Sequence, residues 1–378
     1  MRAHTGIQNG LPSVRNADQD TAKLSGVGQL VAVRPKRAVL IGAGMVAKTH
    51  VAACAAARGV AIHGVFSRSR AKTDALALRA HAASGAHVRV YDDLAEVASD
   101  PGFDFAIVLT PPDTRVELIR PLAAAGKHIL VEKPMGRTAA EARDVVTLCR
   151  ASDVTLGVVF QHRMRAASRR AASLVDSDKL GALGLAEISV PWWRDQAYYD
   201  EPGRGTYARD GGGVLISQAI HTIDLALSLT GPVRALRAMA ATTLFHRMEA
   251  EDFVVAGLEF SNGAVGSLTA STASFPGAPE SITLHFEGAS LQLKSGQLHV
   301  HWRGGEQEVF GAAGGTGGGA DPMAFTHEWH QSIIEDFAAA LHEGRDPIVT
   351  GEAALAAHDL IDAMNASARN RTDTEIIV

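Results

Sequence analysis

Cysteine is scarce in this 378-residue chain, which has only two, Cys54 and Cys149. They lie far apart in alanine-rich stretches of helical texture, with no Cys-x-x-Cys spacing, so they read as reduced thiols rather than a disulfide framework. An excess of basic charge is also missing. With 36 Lys+Arg against 41 Asp+Glu, the net charge is −5 and no basic run stands out, which excludes nucleic acid or an anionic membrane as the expected partner. No stretch approaches the roughly 20 apolar residues of a membrane span, and the N-terminus has neither an apolar signal core nor a twin-arginine pair. A cytoplasmic protein is expected.

What is present is ordinary globular composition, 46% hydrophobic and 20% charged, enough for a substantial core and long enough for two domains. Residues 1–36 are mixed polar with no sustained period. They read as a disordered N-terminal extension, a mobile leader or the product of a start codon placed upstream, and do not enter the fold.

The most informative stretch is Arg37-Ala-Val-Leu-Ile-Gly-Ala-Gly-Met-Val-Ala47, an apolar run breaking into Gly42-x-Gly44-x-x-Ala47 and continuing into an alanine-rich segment. It reads as strand, glycine turn and helix. Such a turn brings backbone close to a pyrophosphate at Gly44, while a small Ala47 keeps helix and strand packed and the helix N-terminus supplies N–H donors. The motif alone is weak in a chain with 37 glycines. Its context strengthens it. Strand-like runs at 38–41, 60–66, 88–91, 105–109, 129–131 and 154–160 alternate with helical patterns, Gly59 and Gly126 act as helix stops, and Thr138-x-x-Glu141 forms a capping box. Residues 37–158 are therefore expected to form a doubly wound parallel sheet, a Rossmann domain that binds a dinucleotide.

From 159 to 378 the texture changes to an α+β domain for substrate binding and oligomerisation. Helical stretches are expected at 164–175 and 213–228 and a strand at 186–193. Phe253 to Phe260 and Ala264 to Thr272 flank Asn262-Gly263 as a hairpin, and further strands follow at 282–286, 291–294 and 298–302. The sum is a large, open, mainly antiparallel sheet. Gly311 to Gly319 reads as a mobile loop, and helices are expected over 325–343 and 352–368.

Cofactor choice turns on the end of the second strand, where NAD-preferring domains usually carry an acidic residue for the ribose. Here the sequence is Ser67-Arg68-Ser69-Arg70. A hydroxyl and two guanidiniums suit a 2′-phosphate, so NADP is preferred over NAD.

Several ordered motifs carry a resemblance. The glycine turn is followed by Thr110-Pro111-Pro112, Glu132-Lys133-Pro134, and Gly211-Gly212-Gly213 ahead of His221-x-x-Asp224. In this order they resemble the Gfo/Idh/MocA family of glucose-fructose oxidoreductase and inositol dehydrogenase, from about Arg37 to the C-terminus. The resemblance implies an NAD(P)-dependent oxidoreductase that moves hydride between nicotinamide C4 and a hydroxyl or carbonyl carbon of a sugar, polyol or related cyclic alcohol. It implies catalytic roles for Lys133, which steadies the alkoxide, and His221, the general base. An unperturbed histidine near pKa ~6.5 suits that task. Many relatives place Asp four residues before this histidine. Here Ser217 stands there, which orients without supplying charge. Arg115 stands where His often does and receives no firm role.

Cofactor contacts are assigned to Gly42, Gly44, Met45, Val46, Ala47, Ser67, Arg68, Arg70, Thr110, Pro111, Pro112, Glu132, Lys133 and Arg163. Substrate contacts are assigned to Lys133, Arg163, Trp193, Arg194, Arg204, Tyr207, Ser217 and His221, the loop from Trp192 to Tyr207 setting specificity through aromatic faces and polar groups. No metal is expected, because His327-Glu-Trp-His330 lacks an identifiable third ligand. The resemblance implies a homodimer or homotetramer formed through the second-domain sheet. Two other function classes stay open: a glycosidase using NAD for transient oxidation, and a non-catalytic nicotinamide-sensing regulator.

Overall fold

The computed structural model describes residues 34–314, 326–370 and 374–375. The expected N-terminal extension lies outside these residues except at its last positions, as does most of the Gly311–Gly319 run.

The chain begins with β1 (Lys36–Ile41), α1 (Ala47–Ala56), β2 (Val60–Phe66), α2 (Arg70–Ser84), β3 (Arg89–Val90) and α3 (Leu94–Ser99). Next come β4 (Phe105–Val108), α4 (Arg115–Ala124), β5 (His128–Glu132), α5 (Ala139–Ala151) and β6 (Leu156–Val159). The six strands form one parallel sheet in the order β3-β2-β1-β4-β5-β6. The order reverses between β1 and β4, and ligands of such sheets bind at that switch, beyond the strand carboxyl ends. Every residue of β4 and β6 is buried, as expected of parallel strands covered on both faces. The Thr138 hydroxyl accepts from Glu141 N at the start of α5, while the Glu141 carboxylate reaches back one residue further than the simple box, to Arg137 N.

The second half contains α6 (Ala166–Val175), β7 (Leu183–Pro191), α7 (Gln196–Asp200), α8 (Ile220–Thr230), β8 (Val233–Ala241), β9 (Phe253–Phe260), β10 (Val265–Ser271) and β11 (Ser281–Phe286). It continues through β12 (Ala289–Lys294), β13 (Gln297–Trp302), β14 (Gln307–Phe310), α9 (Glu328–Glu343), α10 (Gly351–Asn370) and β15 (Thr374–Glu375). These strands form one sheet in the order β14-β13-β12-β11-β7-β10-β9-β8-β15. It is antiparallel except where β10 lies parallel to β7, a pairing that needs a long crossover. Alternating burial along β9 and β11 shows one face against helices and the other open.

Two expectations need correction. The helix over 213–228 is interrupted by a wide π turn at Leu215–Ala219 before α8. The Glu251 carboxylate holds this entry by accepting from Gly213 N and Leu215 N, and a Cβ on Gly213 would come within 1.7 Å of the Glu251 carbonyl oxygen. Strands β8 and β14 were not expected. The segment Arg-Ala-Leu-Arg-Ala-Met-Ala-Ala of β8 has helix-forming composition and is strand only because β9 and β15 flank it.

The last helices return to the first sheet. Helix α9 packs on α1, and Val158 N of β6 donates to Val349 O at 3.1 Å. No helix among the described residues is long and apolar enough to cross a membrane. Cys54 and Cys149 are buried free thiols that burial pushes up to about 12, so neither is a nucleophile near neutral pH.

Candidate active site

The carboxyl ends of β1, β4, β5 and β6 meet over a cleft of about 290 Å³ lined also by residues from the second half. Gly42 has φ +115°, and a Cβ there would press on the backbone of Leu109 and Thr110 at 3.1 Å, so only glycine lets the first turn lie against the loop after β4. At Gly44, which faces the cleft, a Cβ would meet nothing within 4 Å. That open side, the uncapped start of α1 and the fully packed Ala47 are the features a pyrophosphate needs. The turn therefore fits a dinucleotide. Met45, Val46, Thr110, Pro111 and Pro112 line the same cleft.

At the end of β2, Ser67 bonds Thr73 Oγ1 at 2.7 Å, and Arg70 is ion-paired with Asp74 and Asp92. Of the two arginines read as phosphate ligands, Arg70 is thus already engaged, while Arg68 is exposed.

The end of β5 is the most constrained part of the cleft. Buried Glu132 accepts from His50 Nε2 at 2.7 Å through one oxygen and from Lys133 N at 3.0 Å through the other. Burial opposes its charge, but His330 and His50 outweigh that and hold the carboxyl well below its usual range. Arg115, 2% exposed, donates Nε and Nη2 to Thr110 O at 2.9 and 2.7 Å and Nη1 to Glu132 O. It ties the loops after β4 and β5 together, a role its sequence position did not reveal. Lys133 Nζ donates to Ser217 O at 3.0 Å. Burial lowers the lysine to about 8, against the pull of Glu132 and with Arg204 and Arg115 adding like charge.

His221 faces Lys133 from α8. It stacks on His162 with ring centroids 4.6 Å apart, and Phe160 meets it edge-on at 5.9 Å. Burial first, then the charge of Lys133, holds His221 well below the ordinary histidine range, so its imidazole is neutral at pH 7. This corrects the expectation of an unperturbed base. Among the described residues its Nδ1 has no hydrogen-bond partner. Ser217 does not orient it, because Ser217 Oγ donates to Gly213 O at 2.6 Å. That hydroxyl bonds back along its own chain, to the carbonyl four residues earlier. Nor is the stripe containing Ser217, His221 and Asp224 a solvated face, since His221 and Asp224 are buried.

Several assigned residues lie elsewhere than expected. Arg163 does not line the cleft. Its guanidinium makes a two-pronged pair with buried Asp224 at 2.7 and 2.6 Å, while the short turn Gln161–Met164 presents Gln161 and His162 to the cleft instead. His162 Nε2 is contacted at 2.6 Å by Arg165, which also pairs with Glu280 and lies over the Trp329 ring. Trp193 packs among Phe245, His246 and Phe275, and Tyr207 is 43% exposed away from the cleft. Their neighbours Trp192 and Tyr198 line it, as do Arg194, Arg204, Ser217 and His221. Gln218 links this wall, accepting from Arg194 Nη2 at 3.0 Å and donating to Tyr198 Oη at 2.8 Å.

His330 does find further potential ligands, contrary to the reading of His327-Glu-Trp-His330. His50, Glu132 and His330 bring their ligand atoms within 4.8 Å of one another, all buried. The His50–Glu132 hydrogen bond already satisfies that carboxylate oxygen, and the group braces the residue preceding Lys133. His50 falls on the buried face of α1 with Ala47, Val51 and Cys54, a lone histidine in an apolar stripe that periodicity alone could have marked.

A Rossmann sheet whose bare glycine turn opens beside a lysine and a buried histidine defines a dinucleotide-binding oxidoreductase. Residues 36–160 match the model of the oxidoreductase family with an NAD-binding Rossmann fold, and residues 168–315 match the GFO/IDH/MocA C-terminal domain. The chain belongs to the Gfo/Idh/MocA family. Similar curated proteins include the uncharacterized oxidoreductase YrbE of Bacillus subtilis, 27% identical over 60% of this chain and 64% of YrbE, so the chain spans less than two thirds of that relative's length. Inositol 2-dehydrogenase of Rhizobium meliloti is 26% identical over 89% of this chain and 98% of its own. Among solved structures, the WlbA dehydrogenase from Bordetella pertussis in complex with NADH and UDP-GlcNAcA superposes with a TM-score of 0.77 at 25% identity, covering 91% of this chain and 99% of that one.

Proposed function

We propose that this protein is a nicotinamide-dependent dehydrogenase or reductase acting on a carbon-bound hydroxyl or carbonyl of a sugar, polyol or related cyclic alcohol. The observation that carries the reading is the meeting of Lys133 and His221 in the cleft onto which Gly44 opens. Bound nicotinamide supplies the hydride acceptor or donor. Lys133 donates a hydrogen bond to the substrate oxygen and offsets its negative charge as the carbon–hydrogen bond breaks. Neutral His221 takes the hydroxyl proton in oxidation and returns it in reduction. The rings of His162 and Phe160 pack against His221 and hold its imidazole in place for that transfer. Inositol 2-dehydrogenase among the relatives supports a polyol-like substrate.

For the dinucleotide we take NAD as the working cofactor. The engagement of Arg70 by Asp74 and Asp92 weakens the case for a 2′-phosphate, and the related WlbA structure holds NADH. Exposed Arg68 keeps NADP as the alternative. The same reading assigns dinucleotide binding to residues 37–158, and substrate binding with self-association to 159–378. The open face of the second sheet carries Leu185, Met239 and Val265, each 39% exposed or more, and a homodimer or homotetramer that covers it follows.

The test is to incubate purified protein with NAD or NADP and a panel of aldoses, inositols, sugar acids and anhydrosugars while following reduced nicotinamide. Net reduction with one or more alcohols supports the reading. Cofactor binding with no net reduction across the panel contradicts it.

A further inference from the structure

The wall opposite the glycine turn is charged in a way that a neutral polyol does not require. Arg194, Arg204 and Arg209 line it, and among the described residues the cleft's carboxylates are Glu132 and Asp210. Glu132 is committed to His50 and Lys133 N, and Lys133 and Arg115 add two further cations on its side. Five cationic side chains therefore face two carboxylates, with His162 and His221 neutral.

Among the described residues Arg204 and Arg209 are held mainly by neutral groups. Arg194 donates to Trp193 O at 2.9 Å and to Gln218 Oε1, while Arg204 lies 4.9 Å from the Tyr198 ring centroid. The Arg204 contact with Glu201 is long, 3.4 Å through Nε, and its two terminal nitrogens make no hydrogen bond among the described residues. Arg209 donates to Pro202 O at 2.6 Å. Asp210 is buried, accepts from Gly205 N at 3.2 Å and, among the described residues, is the one cleft-lining carboxylate beside Arg204 and Arg209, Glu201 lying outside the lining. Placing cations together in a partly dry cleft is costly unless an anion joins them, and a guanidinium fork matches carboxylate or phosphate oxygens in pairs.

We infer, resting on the function proposed above, that the substrate carries an anionic group, a carboxylate or a phosphate, seated against Arg204, Arg209 and Arg194 while its reacting carbon lies toward Lys133 and His221. The anion does more than anchor. Arg204 is one of the charges that lower the Lys133 pKa, so an anion bound at Arg204 screens it and restores the lysine's hold on its proton. The substrate thereby helps keep its own charged hydrogen-bond donor, Lys133, protonated.

The inference is tested by calorimetric titration of the NADH-loaded protein with matched ligands: three hexoses, their uronates and their 6-phosphates. At least one uronate or phosphate should bind about tenfold or more tightly than its parent hexose, the usual size of a hydrogen bond made to a charged group. Uronate-only or phosphate-only preference identifies which anion is read. Arg204→Gln and Arg209→Gln should each erase most of that preference while leaving NADH affinity unchanged. With a bound anionic substrate, the alkaline limb of the reduction rate should move above the value seen with a neutral carbonyl. Equal or tighter binding of the neutral hexoses, or no binding of any anionic ligand, overturns the inference. The function proposed above falls separately: anionic ligands that bind, with no net hydride transfer from any alcohol, would retain the inference and remove the dehydrogenase.

Discussion

Lys133 Nζ donates a 3.0 Å hydrogen bond to the carbonyl oxygen of Ser217, joining the end of a parallel strand to the π turn that delivers His221. The two residues come from opposite halves of the chain, so this contact ties the lysine that would hold the substrate oxygen to the turn that carries the proposed base. A π turn frees or redirects backbone acceptors that an α-helix would use internally, and such turns gather at functional sites. Here a redirected acceptor holds the lysine.

Replacing His221 with Asn keeps a polar group but removes the proton acceptor. We expect kcat to fall by about 10²–10⁴-fold with dinucleotide affinity unchanged, measured by steady-state kinetics and a separate binding titration. A fall confined to KM would mean that His221 only binds substrate.

The lowered Lys133 pKa predicts two pH effects. For a neutral carbonyl substrate, the reduction rate should decline as pH rises through about 8, because the ammonium loses its proton there. Stability should move the other way. The unfolded lysine holds its proton up to 10.5 and the folded one only to about 8, so the unfolded chain binds more protons between these values and stability rises with pH across that window. Chemical denaturation of wild type and Lys133→Met at pH 7 and 9.5 measures the term, and the rise attributable to this residue should be missing in the variant.

Arg115→Leu should cost about 2–4 kcal/mol of stability, because the carbonyls of Thr110 and Glu132 lose their buried donor. The dinucleotide should also bind more weakly, since both loops line its cleft. A variant as stable as wild type would show that neighbouring residues hold the loops unaided.

Arg163→Met tests which residue of the Gln161–Met164 turn serves the cleft. Removing one half of a buried pair leaves Asp224 uncompensated, so a loss of about 3–5 kcal/mol in denaturant titration is expected, with the affinity of the folded fraction for dinucleotide near normal. A specific loss of cofactor affinity at unchanged stability would return Arg163 to the site.

Much of the first half was legible because its chemistry is local. Fully apolar strands, glycine stops and the Gly42-x-Gly44 turn each announce themselves within ten residues, and the observed sheet follows that pattern. The second half depends on partners distant in sequence. Strand β8 looks helical until β9 flanks it, and nothing near Glu251 suggests that its carboxylate seats the turn at Gly213. The same limit explains the cleft. Lys133 was marked by its neighbours Glu132 and Pro134, whereas choosing between Trp192 and Trp193, or between His162 and Arg163, requires knowing which way a short irregular segment faces. The hydroxyl of Ser217 was read in helical register with His221, and the π turn broke that register.

Whether Lys133 works on a substrate oxygen beside a bound nicotinamide is measured by comparing wild type and Lys133→Met for net formation of reduced nicotinamide from the best alcohol of the panel, with dinucleotide affinity followed in parallel. The variant should bind dinucleotide like wild type and lose at least about 10²-fold in kcat. Turnover equal to wild type at equal cofactor affinity would contradict that role for Lys133.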